Sequence, residues 1–266
     1  MKTIAIIPAR YASTRFPGKP LAEIGGKPMI QRVWEQAKKA LDRVVVATDD
    51  TRIYDCVKGF GGEAVMTRSD HRCGTDRCLE AFERLGVSGE RLGVSSERLE
   101  DTVIINIQGD EPFIQPEQIR ALMACFPTEI ATLVQPYSAR DTLADLENPN
   151  SPKVTIAFDD EKLTVGRALL FSRSVIPYLR GIDRNEWLGR GMHYRHIGMY
   201  AYRADILGEI TQLAPSPLEQ AESLEQLRWL ENGYTIRVAV TETRSIGIDT
   251  PEDLKKACAF AQTLEH

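Results

Sequence analysis

The sequence predicts an α/β fold built on a mainly parallel sheet flanked by helices. Ile4 to Ile7, Val44 to Ala47 and Val103 to Ile107 are apolar at nearly every position and rich in β-branched residues, the pattern of strands covered on both faces. Between the first two, Ile30, Val33, Trp34 and Ala37 recur at helical spacing, so the period changes from strand to helix and back, as in a βαβ unit. The loops behind the three runs read PARYAST, TDDT and QGDEP. All are polar, and open α/β sheets bind ligands at the carboxyl ends of their strands.

The second half reads in order as neighbouring strands over Val154 to Phe158 and Lys162 to Phe171, then a strand from His196 to Arg203. A long helix from Pro217 to Asn232, a strand from Thr235 to Val240 and a closing helix from Pro251 to Leu264 follow. Thr250-Pro251-Glu252-Asp253 is a helix start, with a hydroxyl N-cap, proline in the first turn and acids beside the positive end of the dipole. Residues 83 to 99 read ERLGVSG, ERLGVSS, ERL. Gly86, Gly89 and Gly93 weaken any helix there, so this heptad repeat is expected to be an inserted surface loop rather than a coiled-coil seam. No linker composition divides the chain, which is expected to be a single domain over residues 1–266.

Hydrophobic residues at 42% and charged residues at 27% describe an ordinary globular protein, and a net charge of -5 argues against a general nucleic-acid binder. With no apolar run of signal-peptide or membrane-spanning length, the expected location is the cytoplasm, with no membrane partner. The five cysteines, at 56, 73, 78, 125 and 258, contain no Cys-x-x-Cys pair, which argues against a zinc site or a disulfide framework. Cys56 and Cys258 fall in helical apolar patterns and are expected in the core, whereas Cys73 lies in a polar segment.

The segment Pro8 to Pro20, PARYASTRFPGKP, places Arg10, Arg15 and Lys19 on one short loop shaped by Pro8, Pro17, Gly18 and Pro20. Guanidinium groups grip phosphate oxygens in forked pairs and a lysine adds a point charge, so the loop suits a polyphosphate; a solvated basic loop is the plainer alternative. Asp110, at the end of a predicted central strand, stands where a carboxylate holds Mg2+ against such phosphates; the plainer alternative is a turn aspartate. Asp249, in GIDTPEDL, is a second candidate ligand with the same alternative. The run MTRSDHRCGTDR, Met66 to Arg77, has the polarity for base or ribose contacts but also that of any turn. On the predicted helix from Pro217, Glu219, Glu222 and Gln226 form a polar stripe. Ser13 stands where a P-loop needs its first glycine, and no Gly-x-Gly-x-x-Gly follows the first strand. A nicotinamide or flavin enzyme is therefore disfavoured.

PARYASTRFPGKP, VATDD, MTRSDHRCGTDR, QGDEP, LLFSRSVIP, HIGMYAYR, SPLEQAESLEQLR and GIDTPEDL, taken in this order, resemble the 3-deoxy-manno-octulosonate (KDO) cytidylyltransferase family over nearly the whole chain. The chain departs from that family's pattern at Cys73, where a serine is usual, and in the tandem repeat, which lengthens a helix-to-strand connection. The resemblance implies a Rossmann-like nucleotidyltransferase fold with a mixed, mainly parallel sheet. It adds a smaller β-rich dimerisation element at about residues 150–200, working as a homodimer. It implies CTP and KDO as substrates and Mg2+ as cofactor. Arg10, Arg15 and Lys19 would neutralise the triphosphate, while Thr48, Asp49 and the loop with Arg68, Cys73, Gly74 and Thr75 would surround the cytidine. Gln108, Arg173, His196, Tyr200, Glu219, Glu222 and Gln226 would line the sugar pocket, and Asp110 with Asp249 would hold the metal. The alternatives are an 8-amino KDO analogue, a sialic-acid-like sugar, or a catalytically silent nucleotide-binding module.

Overall fold

The computed structural model describes residues 1–12, 16–87, 96–159, 161–243, 247–248 and 250–264. The inner part of the tandem repeat, Arg15 and Asp249 lie outside the described residues. The chain divides into two compact units, one of Met1–Ile119, Arg203–Thr211 and Ser245–His266, the other of Arg120–Tyr202 and Gln212–Arg244.

In chain order the elements begin with β1 (Lys2–Ala9), β2 (Glu23–Ile24), β3 (Lys27–Pro28), α1 (Met29–Lys38), β4 (Val44–Thr48) and α2 (Thr51–Gly59). Next come β5 (Glu63–Met66), α3 (Gly74–Val87), β6 (Thr102–Asn106), α4 (Pro116–Met123), β7 (Ile130–Pro136) and α5 (Leu143–Glu147). They continue with β8 (Lys153–Phe158), β9 (Val165–Ser172), β10 (Tyr194–Arg203), α6 (Ala204–Ile210), α7 (Pro217–Glu222), α8 (Glu225–Glu231), β11 (Ile236–Val240) and α9 (Pro251–Leu264).

In the first unit the strand order is β5-β4-β1-β6 and every pairing is parallel, with Ala5 opposite Val44, Thr3 opposite Val103 and Val45 opposite Glu63. Ile4 to Ile7 and Val103 to Ile105 are buried, as continuous apolar runs require of strands covered on both faces. Helix α1 turns Met29, Ile30, Val33 and Ala37 inward. Strand β1 continues through Pro8 to Ala9, although the prolines of this segment suggest that the strand stops before them. The β6 ladder ends at Ile6, so the amide that Pro8 lacks costs little at this end of the strand. Helix α9 starts as expected, with the Asp253 amide donating to Thr250 Oγ1 at 3.2 Å and the Thr250 amide to Asp253 Oδ2 at 3.0 Å. It buries Ala257 and Ala261 in a cluster with Ile24, Met29, Phe113 and Ile248.

The second unit orders its strands β10-β7-β11-β9-β8, and β8 pairs again with β10, so the sheet returns on itself. Only β7 and β11 are parallel; the other pairings are antiparallel. Strand β9 begins at Val165, later than the alternating pattern suggests, because Leu163 has φ 53°, a left-handed conformation incompatible with a strand. The helix expected over Pro217 to Asn232 is two helices, since Ser223 takes φ 50° and ψ 49° and ends α7. Strand β7, which the sequence reading passed over, is buried along most of its length. Cys56 and Cys258 are only partly buried; the buried thiols are Cys78 and Cys125.

Candidate active site

At the carboxyl ends of β1 and β6 the first unit has a pocket lined by Pro8, Ala9, Arg10, Lys19, Pro20, His71 to Gly74, Arg77 and Gln108 to Asp110. Its floor depends on Gly109. A Cβ there would lie 3.0 Å from the Pro8 carbonyl oxygen, so a larger residue would push the two strand ends apart. The loop between them is folded by its prolines and by Gly18, whose φ of 70° starts a short 3-10 turn over Lys19–Leu21. The Gly18 amide donates to the Tyr11 carbonyl at 2.9 Å, and the Arg52 guanidinium lies 3.4 Å above the Tyr11 ring. Arg52 is held in turn by Asp50, which caps α2. This turn aims Lys19 inward, and its Nζ donates to Asp110 Oδ2 at 2.6 Å.

Helix α3 starts at Gly74 beside the pocket, so its first amides and the positive end of its dipole face the same space as the cations. Cys73 stands before that first turn, and its Sγ accepts from the Asp76 amide at 3.5 Å, the position and contact of an N-cap. Two residues unassigned from the sequence brace the loop leading into the helix. Arg77 is buried and donates to Thr67 Oγ1 at 2.6 Å, the Arg68 carbonyl at 3.1 Å and Asp49 Oδ2 at 3.1 Å. Glu80 accepts from the Arg68 amide at 3.0 Å, contacts His71 and accepts from Arg84 Nε at 2.8 Å. Burial alone would raise the Glu80 pKa, but these donors outweigh it and hold the carboxyl at about 2.

The pocket thus gathers Arg10, Lys19, Cys73, Gly74, Gln108 and Asp110 from the sequence-based set. Thr48, Asp49, Arg68 and Thr75 do not line it. Thr48 Oγ1 accepts from the Asp50 amide at 3.2 Å, and Asp49 is paired with Arg77, so these two build the frame. Arg68 turns its guanidinium to the surface beside Asp70, and Thr75 is buried in the first turn of α3.

The remaining residues lie in the second unit. Arg173 spends its guanidinium on main-chain carbonyls, those of Glu222 at 2.5 Å, Pro149 at 2.8 Å and Ser223 at 3.1 Å. Glu222 accepts from Ser172 Oγ at 2.6 Å and from the Arg173 amide at 2.9 Å. Glu219 forms a capping box with Ser216 at the start of α7. These three therefore form a clamp around α7 rather than an open set of ligand groups. The clamp explains their helical spacing, which the sequence alone cannot separate from a binding stripe.

His196 and Tyr200 do come together, with ring centroids 5.2 Å apart, and Tyr200 meets Trp229 edge-on at 5.2 Å. Trp229 stands one turn beyond Gln226 on α8, a neighbour the sequence reading did not single out. Gln226 Nε2 and Trp229 Nε1 are buried without a hydrogen-bond partner among the described residues, whereas the Tyr200 hydroxyl is within reach of Thr132. Buried donors are rarely left unpaired, so these two, one turn apart on α8, are candidates for contact with a polar ligand. His196 keeps part of its surface reachable, yet burial lowers its pKa to about 3, so the ring is neutral.

A family model described as cytidylyltransferase matches residues 4–238. The chain is 58% identical over 264 residues to the 3-deoxy-manno-octulosonate cytidylyltransferase of Parabacteroides distasonis, covering 98% of each protein. It is 54% identical over 263 residues to the protein of the same name from Bacteroides thetaiotaomicron, again covering 98% of each. Among solved structures it is similar to CMP:2-keto-3-deoxy-manno-octonic acid synthetase complexed with CTP, with TM-score 0.83 and 38% identity over 100% of both chains.

Proposed function

The chain belongs to the 3-deoxy-manno-octulosonate cytidylyltransferase family, and on that premise we propose that it activates KDO: CTP plus KDO gives CMP-KDO and pyrophosphate, for lipopolysaccharide biosynthesis. The observation that carries the reading is the pocket lined by Arg10, Lys19 and Arg72 together with the start of α3 and Asp110. Such a pocket suits a triphosphate and, through Asp110, its counter-ion.

In this reading the sugar's anomeric hydroxyl attacks the α-phosphorus of CTP in line. The new O–P bond forms as the bond from the α-phosphorus to the oxygen bridging to the β-phosphate breaks, pyrophosphate leaves with that oxygen, and the hydroxyl proton passes to solvent. Arg10, Arg15 and Lys19 hold the phosphates and stabilise the negative charge growing on pyrophosphate, while the α3 amides add fixed dipoles. Catalysis is chiefly positioning and charge stabilisation. Mg2+ fits the donor set: Asp110 is a partly exposed pocket carboxylate, and this ion takes one or two protein carboxylates with phosphate oxygens. Asp249 is the proposed second ligand; its neighbour Ile248 donates its amide to the Asp110 carbonyl at 3.0 Å. Bound there, the ion would neutralise phosphate charge and acidify the attacking hydroxyl.

The sugar would bind at the His196, Tyr200 and Gln226 cluster of the second unit, where Gln226 Nε2 is a buried donor without a partner among the described residues. The same reading includes a cytoplasmic homodimer. Leu169, Leu170, Tyr178 and Met192 are exposed apolar residues of the second unit, the residue type that self-association covers. Among the described residues, no helix is long and apolar enough to cross a membrane.

The test is pyrophosphate release from CTP and Mg2+ with KDO, 8-amino-KDO or a sialic acid as acceptor. Release with KDO is expected. A stronger response to the amino sugar would reassign the acceptor, and CTP binding without release for any sugar would reduce the protein to a nucleotide-binding module.

A further inference from the structure

His196 sits beside an irregularity in β10. Ile197 pairs with Leu133 and Tyr200 with Thr132, which leaves Gly198 and Met199 outside the ladder. Thr132 fills this bulge. Its Oγ1 lies 2.8 Å from the Met199 carbonyl oxygen, 3.2 Å from that of Ile197 and 3.1 Å from His196 Nε2.

A hydroxyl has one proton and two lone pairs, whereas a carbonyl oxygen only accepts. The Thr132 proton therefore goes to the bulge carbonyls, with Met199 the nearer, and its two lone pairs serve His196 and the Tyr200 hydroxyl. Only lone pairs remain toward the ring, so Nε2 can bond Thr132 only by donating. A neutral imidazole protonated at Nε2 has a bare nitrogen at Nδ1. Among the described residues nothing bonds that nitrogen. The ring stays flat in place because Phe171 packs against it edge-on at 5.2 Å, with Tyr200 on another side.

We propose that Thr132 is a positioning residue that fixes His196 as the Nε2–H tautomer, so that the site offers a sugar one permanent acceptor, Nδ1, alongside the unpartnered donor of Gln226. A sugar hydroxyl suits this pattern, because it donates its proton to Nδ1 while its oxygen accepts from a neighbouring donor. With the tautomer fixed in advance, binding need not reorganise the ring. The inference rests on the assignment of this site to the sugar.

Long-range proton–nitrogen correlation spectra of the full chain read the tautomer directly. The four histidines give few signals, and the His196 set is identified by its loss in His196→Gln. The expected result is a protonated Nε2 and a bare Nδ1 in the free protein, with the Nδ1 signal moving when KDO is added. Thr132→Val should mix the tautomers and raise the KM for KDO about tenfold, the scale of one lost hydrogen bond, without changing the KM for CTP. Thr132→Ser should restore both. A proton on Nδ1 in the unaltered protein overturns the lock, as does a Thr132→Val protein with unchanged tautomer and KM. A correct tautomer whose Nδ1 ignores KDO instead overturns the assignment of the site. Because valine leaves the bulge carbonyls without a donor, the spectrum of the unaltered chain decides the matter if that variant does not fold.

Discussion

Replacing Glu80 with glutamine tests whether the loop before α3 is held by charge. Glutamine keeps the shape of the side chain and one acceptor oxygen for the Arg68 amide, but loses the negative charge facing His71 and Arg84. The Glu80 side chain is 13% exposed, so solvent screens these contacts only in part. A pKa lowered from 4.5 to about 2 corresponds to about 3 kcal/mol of stability at neutral pH, an upper figure for the variant's loss. The sign follows from the direction of the shift. A carboxyl whose pKa is lowered by folding stabilises above its unfolded value and loses that contribution as pH falls toward its folded value. By that relation the difference between the two proteins should shrink to roughly 1.5 kcal/mol at pH 3. Urea unfolding at pH 7 and pH 3 measures both values. Equal stability at pH 7, or a difference that does not narrow at pH 3, would refute the electrostatic account of this loop.

Gly109→Ala should destabilise by about 1–3 kcal/mol, the cost of overpacking against main chain, and weaken CTP binding; thermal unfolding and calorimetry read the two effects. Asp110→Asn should remove Mg2+-dependent turnover while leaving the circular dichroism spectrum and melting temperature close to those of the parent. Arg52→Ala removes the cation above Tyr11 and should raise the KM for CTP about two- to fivefold, the scale of an exposed cation–aromatic contact, with the KM for KDO unchanged. Steady-state kinetics with each substrate varied in turn separates these outcomes.

The nucleotide half of the fold is legible because its signals are local. Ile4 to Ile7 announces a strand covered on both faces, and the spacing of Arg10, Lys19 and Asp110 relative to predicted strand ends suffices to place them in one pocket. What stayed hidden depends on contacts distant in sequence. Glu80 looks like an exposed helix acid until Arg68 and His71 fold back onto it, and Thr132 looks like an ordinary strand residue until the β10 bulge brings two carbonyls to its hydroxyl. Ser223 carries no residue-type signal for a left-handed turn, so the polar stripe from Glu219 to Gln226 reads as one helix face when it belongs to two helices. Arg173 is the complementary case. Its chemistry invites a carboxylate, but three carbonyls that no sequence pattern advertises already engage it.

The approach of Gly109 to Pro8 has a consequence for how this pocket can change over time. Pro8 also lies against Gly74, where a Cβ would come within 3.2 Å of the proline ring. Three chain segments therefore meet at one proline, two of them through residues without side chains. Such a surface offers little for substitution to act on except by moving the segments themselves. Change is thereby steered to the side chains of the lining, such as those of Arg72 and Cys73.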